Sequence, residues 1–173
     1  MEWFEIFEPL NQVRSNHALE HATLHILEQK KQRGRVVGIS DAGGFWLIGQ
    51  LPTELVMESA IEALQRLQGG EKTLATSKNC GTLMVAPAFV AGALAWLAMA
   101  RPRRNFYDTL RRFPAVVMMV LLGYELGKPL GPRLQEKMVA LELSPRLQII
   151  DAVYYKLGGM TIHRVRTRTK RIA

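Results

Sequence analysis

The chain's richest chemistry lies in Asn16-His17-Ala18-Leu19-Glu20-His21-Ala22-Thr23-Leu24-His25-Ile26-Leu27-Glu28, which holds three of its four histidines. On a helix turning ~100° per residue, His17, Glu20, His21, His25 and Glu28 fall within an arc of about 140°. Two imidazoles four positions apart stand roughly 5–6 Å apart at Cβ, so both can reach one metal ion. His17-x-x-Glu20-His21 also follows the H-x-x-E-H order of a class of zinc peptidases. In that chemistry the histidines hold zinc and the glutamate polarises a water whose pKa the metal lowers to about 7. The expectation is therefore a zinc site with His17 and His21 as ligands and Glu20 as general base or further ligand. A solvent-facing helix side that docks a partner or a tetrapyrrole is the alternative.

Two histidines do not complete a zinc shell, and spacing cannot identify the third ligand. Cys80, the sole cysteine, could supply a thiolate. Its other reading is a small buried apolar residue. His163 is the second candidate. On a strand over 161–168 it shares a face with Val165 and Thr167, which also suits a half-buried structural histidine. Asp151 and Glu125 are weaker candidates.

Short elements must position these groups. An apolar, aromatic start (Trp3, Phe4, Ile6, Phe7, Leu10) precedes a helix from about Ser15 to Gln32, with Ser15 or Asn16 as its cap and Gly34 closing it. Residues 36–49 read as a hairpin around Asp41-Ala42-Gly43-Gly44. A helix runs from Pro52-Thr53-Glu54 to about Leu67 and ends at Gly69-Gly70. A short strand over 73–76 leads to Cys80. Residues 147–155 and 161–168 form a second hairpin around Gly158-Gly159. Five basic residues between Arg164 and Arg171 suit an edge strand blunted by charge, or contact with anionic headgroups.

Between these parts lie two apolar runs. Residues 82–100 carry no charge over 19 positions. A helix of that length spans the ~30 Å hydrocarbon layer. After an arginine-rich loop at 101–112, residues 113–130 form a second span, with Glu125 and Lys128 pairing near its end. The predicted fold is thus α+β: a small mixed or antiparallel sheet with two helices, interrupted by a two-helix transmembrane hairpin. Residues 1–81 and 133–173 make one soluble domain, and 82–132 the hairpin.

The chain carries 23 Lys+Arg against 15 Asp+Glu, a net charge of +8, with mean hydropathy +0.00. The excess suits an anionic bilayer better than nucleic acid, since it flanks apolar runs. A single cysteine excludes an internal disulfide. The first residues lack a basic n-region, so no signal peptide is expected. The loop's five arginines argue for a cytoplasmic loop. The remaining 18 Lys+Arg (23 − 5) argue instead for a cytoplasmic soluble domain on a bacterial inner membrane, and that side is expected. Partners beyond the bilayer are a membrane protein or further copies of the chain.

The strings HALEHAT (17–23), GFWLIGQ (44–50), CGT (80–82) and PLGPRLQ (129–135) resemble an uncharacterised family of bacterial two-span membrane proteins, a domain of unknown function in cyanobacteria and green non-sulfur bacteria. The resemblance runs from about residue 14 to 168. It implies membrane residence and points to His17, Glu20, His21 and Cys80 as the recurrent positions, with His25 often replaced. It implies no reaction.

Overall fold

A computed structural model describes residues 3–30, 36–78, 80–100, 106–139, 143 and 145–170. The chain divides into two compact units, Met1–Ser77 with Met138–Ala173, and Lys78–Lys137.

The first unit lays two helices on one face of a four-stranded sheet. Helix α1 spans Trp3–Gln29, with Pro9 inside it. Strands β1 (Val37–Asp41) and β2 (Gly44–Ile48) form the first hairpin. Helix α2 covers Thr53–Gln68, and a short 3-10 helix follows at Lys72–Ala75. Strands β3 (Leu147–Leu157) and β4 (Met160–Thr169) form the second hairpin. All pairings are antiparallel, in the order β1-β2-β4-β3. Of the two sheet types left open by the sequence, the antiparallel one is found.

Each element follows from its residues. Helix α2 buries Val56, Ala60, Ala63 and Leu67, a spacing that keeps one apolar stripe on the sheet. Gly70, at φ 94°, lets the chain turn out of the helix where a side chain would be strained. Period-two alternation sends Phe45, Leu47, His163, Val165 and Thr167 to the helix-covered face. There they pack with Ala18, Leu19, Ala22 and Ile26 of α1. Burying one side chain the size of Phe45 or Leu19 contributes roughly 1.5–3 kcal/mol. Asp41 closes the first hairpin. Its carboxylate accepts from the Gly43 amide (2.8 Å), the Trp46 indole N–H (3.2 Å) and both Arg164 guanidinium NH groups (2.7 Å each). The Arg164 guanidinium, offset in part by burial, holds that carboxyl below the usual carboxylate range.

Several sequence expectations are corrected here. The helix begins at Trp3, so Ser15 and Asn16 are interior and cap nothing. The Asn16 side chain serves the sheet instead. It donates to the Asp41 carbonyl (2.8 Å) and accepts from the Thr167 hydroxyl (2.6 Å). The expected closure at Gln32 and Gly34 lies outside the described residues. The strand expected at 73–76 is 3-10 helix. The basic strand is not an edge: β4 lies between β2 and β3, and β1 and β3 are the edges.

The second unit contains α3 (Thr82–Met99), α4 (Phe106–Gly127) and α5 (Leu130–Met138). Residues 106–112, expected in a loop, are the opening turns of α4; residues 101–105 lie outside the described residues. Helices α4 and α5 are bent by 52° about Lys128-Pro129, because proline lacks the amide needed to continue the helix. The helices approach through glycine. A Cβ at Gly123 would lie 2.7 Å from Ala91 Cα, one at Gly127 2.5 Å from Pro87 Cα, and one at Gly131 2.7 Å from the Leu83 carbonyl oxygen. The rising and falling numbers show that α3 runs antiparallel to α4. Small residues every fourth position allow backbones to touch. Lys128 and Glu125 form the expected pair, at 2.6 Å. Outside the seam the unit is apolar and exposed, with Phe89 77%, Trp96 70%, Phe113 64% and Met118 66% accessible. The expected two-helix transmembrane hairpin over 82–132 is not supported. Among the described residues no single helix is long and apolar enough to cross a membrane, though the bent pair Phe106–Gly127 with Leu130–Lys137 is by length and composition.

Candidate metal centre

The site is built on the buried side of α1. The rings of His17 and His21 meet edge to face, 4.4 Å between centroids and 63° between planes, as one-turn spacing dictates. His21 is 1% exposed, and its Nδ1–H donates to the Ala75 carbonyl at 2.7 Å. That bond fixes the tautomer and ring orientation and leaves the Nε2 lone pair as the ligand atom, the usual arrangement of a metal-binding histidine. One turn on, His25 donates Nε2–H to the Thr76 carbonyl at 2.9 Å, with its Nδ1 3.9 Å from Glu28. Two histidines of one helix thus hold consecutive carbonyls of the segment that runs into Cys80. The 3-10 turn at Lys72–Ala75 presents those carbonyls to α1; a strand would have spent them on a sheet neighbour.

The ligand atoms of His17, His21 and Cys80 all lie within 4.8 Å of one another. Cys80 is buried, as is His21, and His17 is half-buried. Two imidazoles and a thiol this close, with one imidazole oriented by a backbone carbonyl, make a donor set suited to a borderline-soft ion. Ligation needs only small adjustments, since bonds of about 2.0–2.3 Å to one ion place ligand atoms within ~4 Å of each other.

The other candidates stand elsewhere. Glu20 is 5% exposed and faces β1, where its carboxylate accepts a short hydrogen bond from the Ser40 hydroxyl. Gly38 makes room for it. Glu20 is not a member of the three-residue group. His163 is not one either. It is fully buried in the core under α2, and neither ring nitrogen has a hydrogen-bond partner among the described residues. Burial pushes its pKa below the ordinary 6.5, partly offset by the Glu54 carboxylate. Asp151 pairs with Arg166 and Glu125 with Lys128. The burial of His21 and Glu20 also argues against a docking face.

Sequence reasoning missed Ser40 and Gly38, which place Glu20, and the carbonyls of Ala75 and Thr76, which orient His21 and His25. The i, i+4 histidine spacing was the only local signal, because backbone acceptors carry no residue signature.

A profile for a domain of unknown function, DUF6391, matches residues 12–152. The chain belongs to the DUF6391 family. An uncharacterised protein of the cyanobacterium Picosynechococcus sp. is 31% identical over 108 residues, 55% of this chain. The match spans about half of that relative, 53% of its length. No solved structure matches. Membership of DUF6391 assigns no reaction, so function has to be argued from the site.

Proposed function

We propose that this DUF6391 chain is a membrane-anchored zinc protein with a hydrolytic, peptidase-like site. The convergence of His17, His21 and Cys80 carries the reading. Three protein ligands leave a tetrahedral ion one open position, the pattern of catalytic rather than structural zinc. Bound there, zinc would supply Lewis acidity and bring a water's pKa to about 7. The chain's own residues would do the rest. The Ala75 carbonyl would keep His21 in the ligating tautomer, and the Glu20 carboxylate, on the residue before it and bound to the Ser40 hydroxyl, would have to turn from β1 toward the ion to act as proton acceptor.

Anchoring rests on a separate observation. Large apolar side chains such as Met84, Phe89, Trp96, Phe113 and Met118 are exposed along α3 and α4, where a water-surrounded monomer seldom gathers so many, and the glycine seam is the packing that lipid-embedded helices use. The α3–α4–α5 unit would sit in the bacterial inner membrane, with the sheet-bearing unit in the cytoplasm.

Metal analysis of the detergent-purified protein tests the site. We expect close to one zinc per chain, lost in His17→Ala, His21→Ala and Cys80→Ser. Glu20→Gln should keep the metal and lose hydrolysis, since an amide cannot take the proton. Background metal in the unmutated protein would end the metal reading.

A further inference from the structure

The second hairpin outruns the sheet that holds it. Strand β2 pairs with β4 only from Gly44↔Arg166 to Ile48↔Ile162, whereas β3 and β4 stay paired out to Leu157↔Met160. Beyond Ile162, the hydrogen bonds from the rest of the sheet to the hairpin among the described residues are Gly49 N–H to the Thr161 carbonyl (3.0 Å) and Gln50 to the Gly159 carbonyl (3.1 Å), with the Trp46 ring 6.1 Å from that of Tyr155. Every residue from Val153 to Met160 is exposed. They include Tyr154 (54%), Tyr155 (51%), Leu157 (62%) and Met160 (53%).

Alternation puts Tyr155, Leu157 and Met160 on one face of the ribbon and Tyr154, beside Lys156 and Thr161, on the other, so the apolar area is concentrated on one face and each face carries a tyrosine. The composition fits lipid. Two tyrosines precede a tip of Leu157, Gly158, Gly159 and Met160, and tyrosine favours the headgroup level. The only charge in the tip is Lys156, whose long stem can carry its ammonium back to water.

The sheet face away from the helices continues the pattern. Next to the tip it is apolar, with the cross-strand row Val37, Ile48, Ile162 and Tyr155. Farther along β4 it becomes basic through Arg164, Arg166 and Arg168. Asp41 and Asp151 pair with Arg164 and Arg166. Arg168 lies opposite Gln148, and Lys170 follows it. The face is therefore net positive on a chain of net charge +8.

We propose that this hairpin tip and the adjoining outward sheet face form a second membrane contact, which takes anionic lipid. Leu157 and Met160 enter the headgroup–acyl boundary, and Arg168 and Lys170 meet the phosphates. Cations near an anionic surface strengthen binding, so the basic row sets lipid preference while the tip sets depth. The inference extends the bilayer part of the proposed function and is independent of the metal site.

Hydrogen–deuterium exchange on the full chain tests it, in nanodiscs of phosphatidylcholine alone and with added phosphatidylglycerol. Residues 154–161 should exchange several-fold more slowly in the anionic discs. Leu157→Glu/Met160→Glu should abolish the difference while the β2–β4 core keeps its protection, which shows the fold is intact. Equal tip exchange in both discs overturns the proposal. So does protection that rises with protein concentration in detergent, which would give the face to a second copy. If the chain fails to incorporate into discs, the helical anchor is wrong. The same comparison on preformed anionic vesicles then decides the tip, and unprotected tip amides there overturn it.

Discussion

Glu20 and Gly38 constrain each other. A Cβ on Gly38 would collide with the Glu20 carboxyl group and lie 2.7 Å from its Cγ. Gly38→Ala should therefore destabilise by about 1–3 kcal/mol, the usual cost of overpacking. Adding Glu20→Ala should recover part of that loss, because it empties the space the methyl needs. A thermal double-mutant cycle measures the coupling, and strictly additive losses would show that Glu20 is not what Gly38 accommodates. His163 makes a different prediction. Its pKa is lowered by burial, so the folded chain holds this ring neutral at pH values where the unfolded chain takes a proton. Its contribution is complete above the ordinary 6.5 and is lost as pH falls from there through the lowered value. The melting temperature should drop on mild acidification in the wild type and drop less in His163→Met, as read by circular dichroism at stepped pH. In the sequence, His163 was legible as sharing a face with Val165 and Thr167. Its depth was not, because alternation reveals a face and not how much protein lies over it.

At the scale of elements, the parts with strong local codes were legible: the α2 stripe, the Asp41–Gly44 turn and the glycine turn at 158–159. The failures came where a residue served a distant neighbour. Ser15 and Asn16 look like a cap because short polar side chains usually bond nearby amides. Asn16 instead spans to Asp41 and Thr167, contacts visible only once the sheet exists. Thr73–Thr76 favours strand by composition, yet the turn there is 3-10, and the histidines of α1 hold its last carbonyls. The seam of Gly123, Gly127 and Gly131 hid inside an apolar run, where glycine reads as filler. It yields a prediction. Gly127→Leu would push α3 and α4 apart at Pro87, whereas Gly92→Leu meets nothing within 4 Å of its new Cβ. Loss of helix on heating in detergent should move to clearly lower temperature in the first variant and stay put in the second.

At the scale of the molecule, the sheet is woven from both ends of the chain. Strand β4 stands between β2 and β3, so a chain stopped at Lys137 keeps one two-stranded hairpin, a unit marginal in water. It should lose the apolar cover that Val165 and Leu147 give α1 and α2. Limited proteolysis should degrade residues 1–77 of that truncated chain while the intact protein resists. Equal resistance would mean that the N-terminal portion folds by itself.

The same weave has a consequence in time. The ribosome delivers α1 first and the strand that completes its sheet last. At about 5–20 residues per second, the gap between the first hairpin and β4 is on the order of ten seconds. Within that interval the apolar helices of the middle unit emerge, while His17, His21 and Glu20 hang on a helix with no finished floor beneath it. On the proposed reading, insertion of the middle segment would precede closure of the sheet, and the metal would be the last component to arrive.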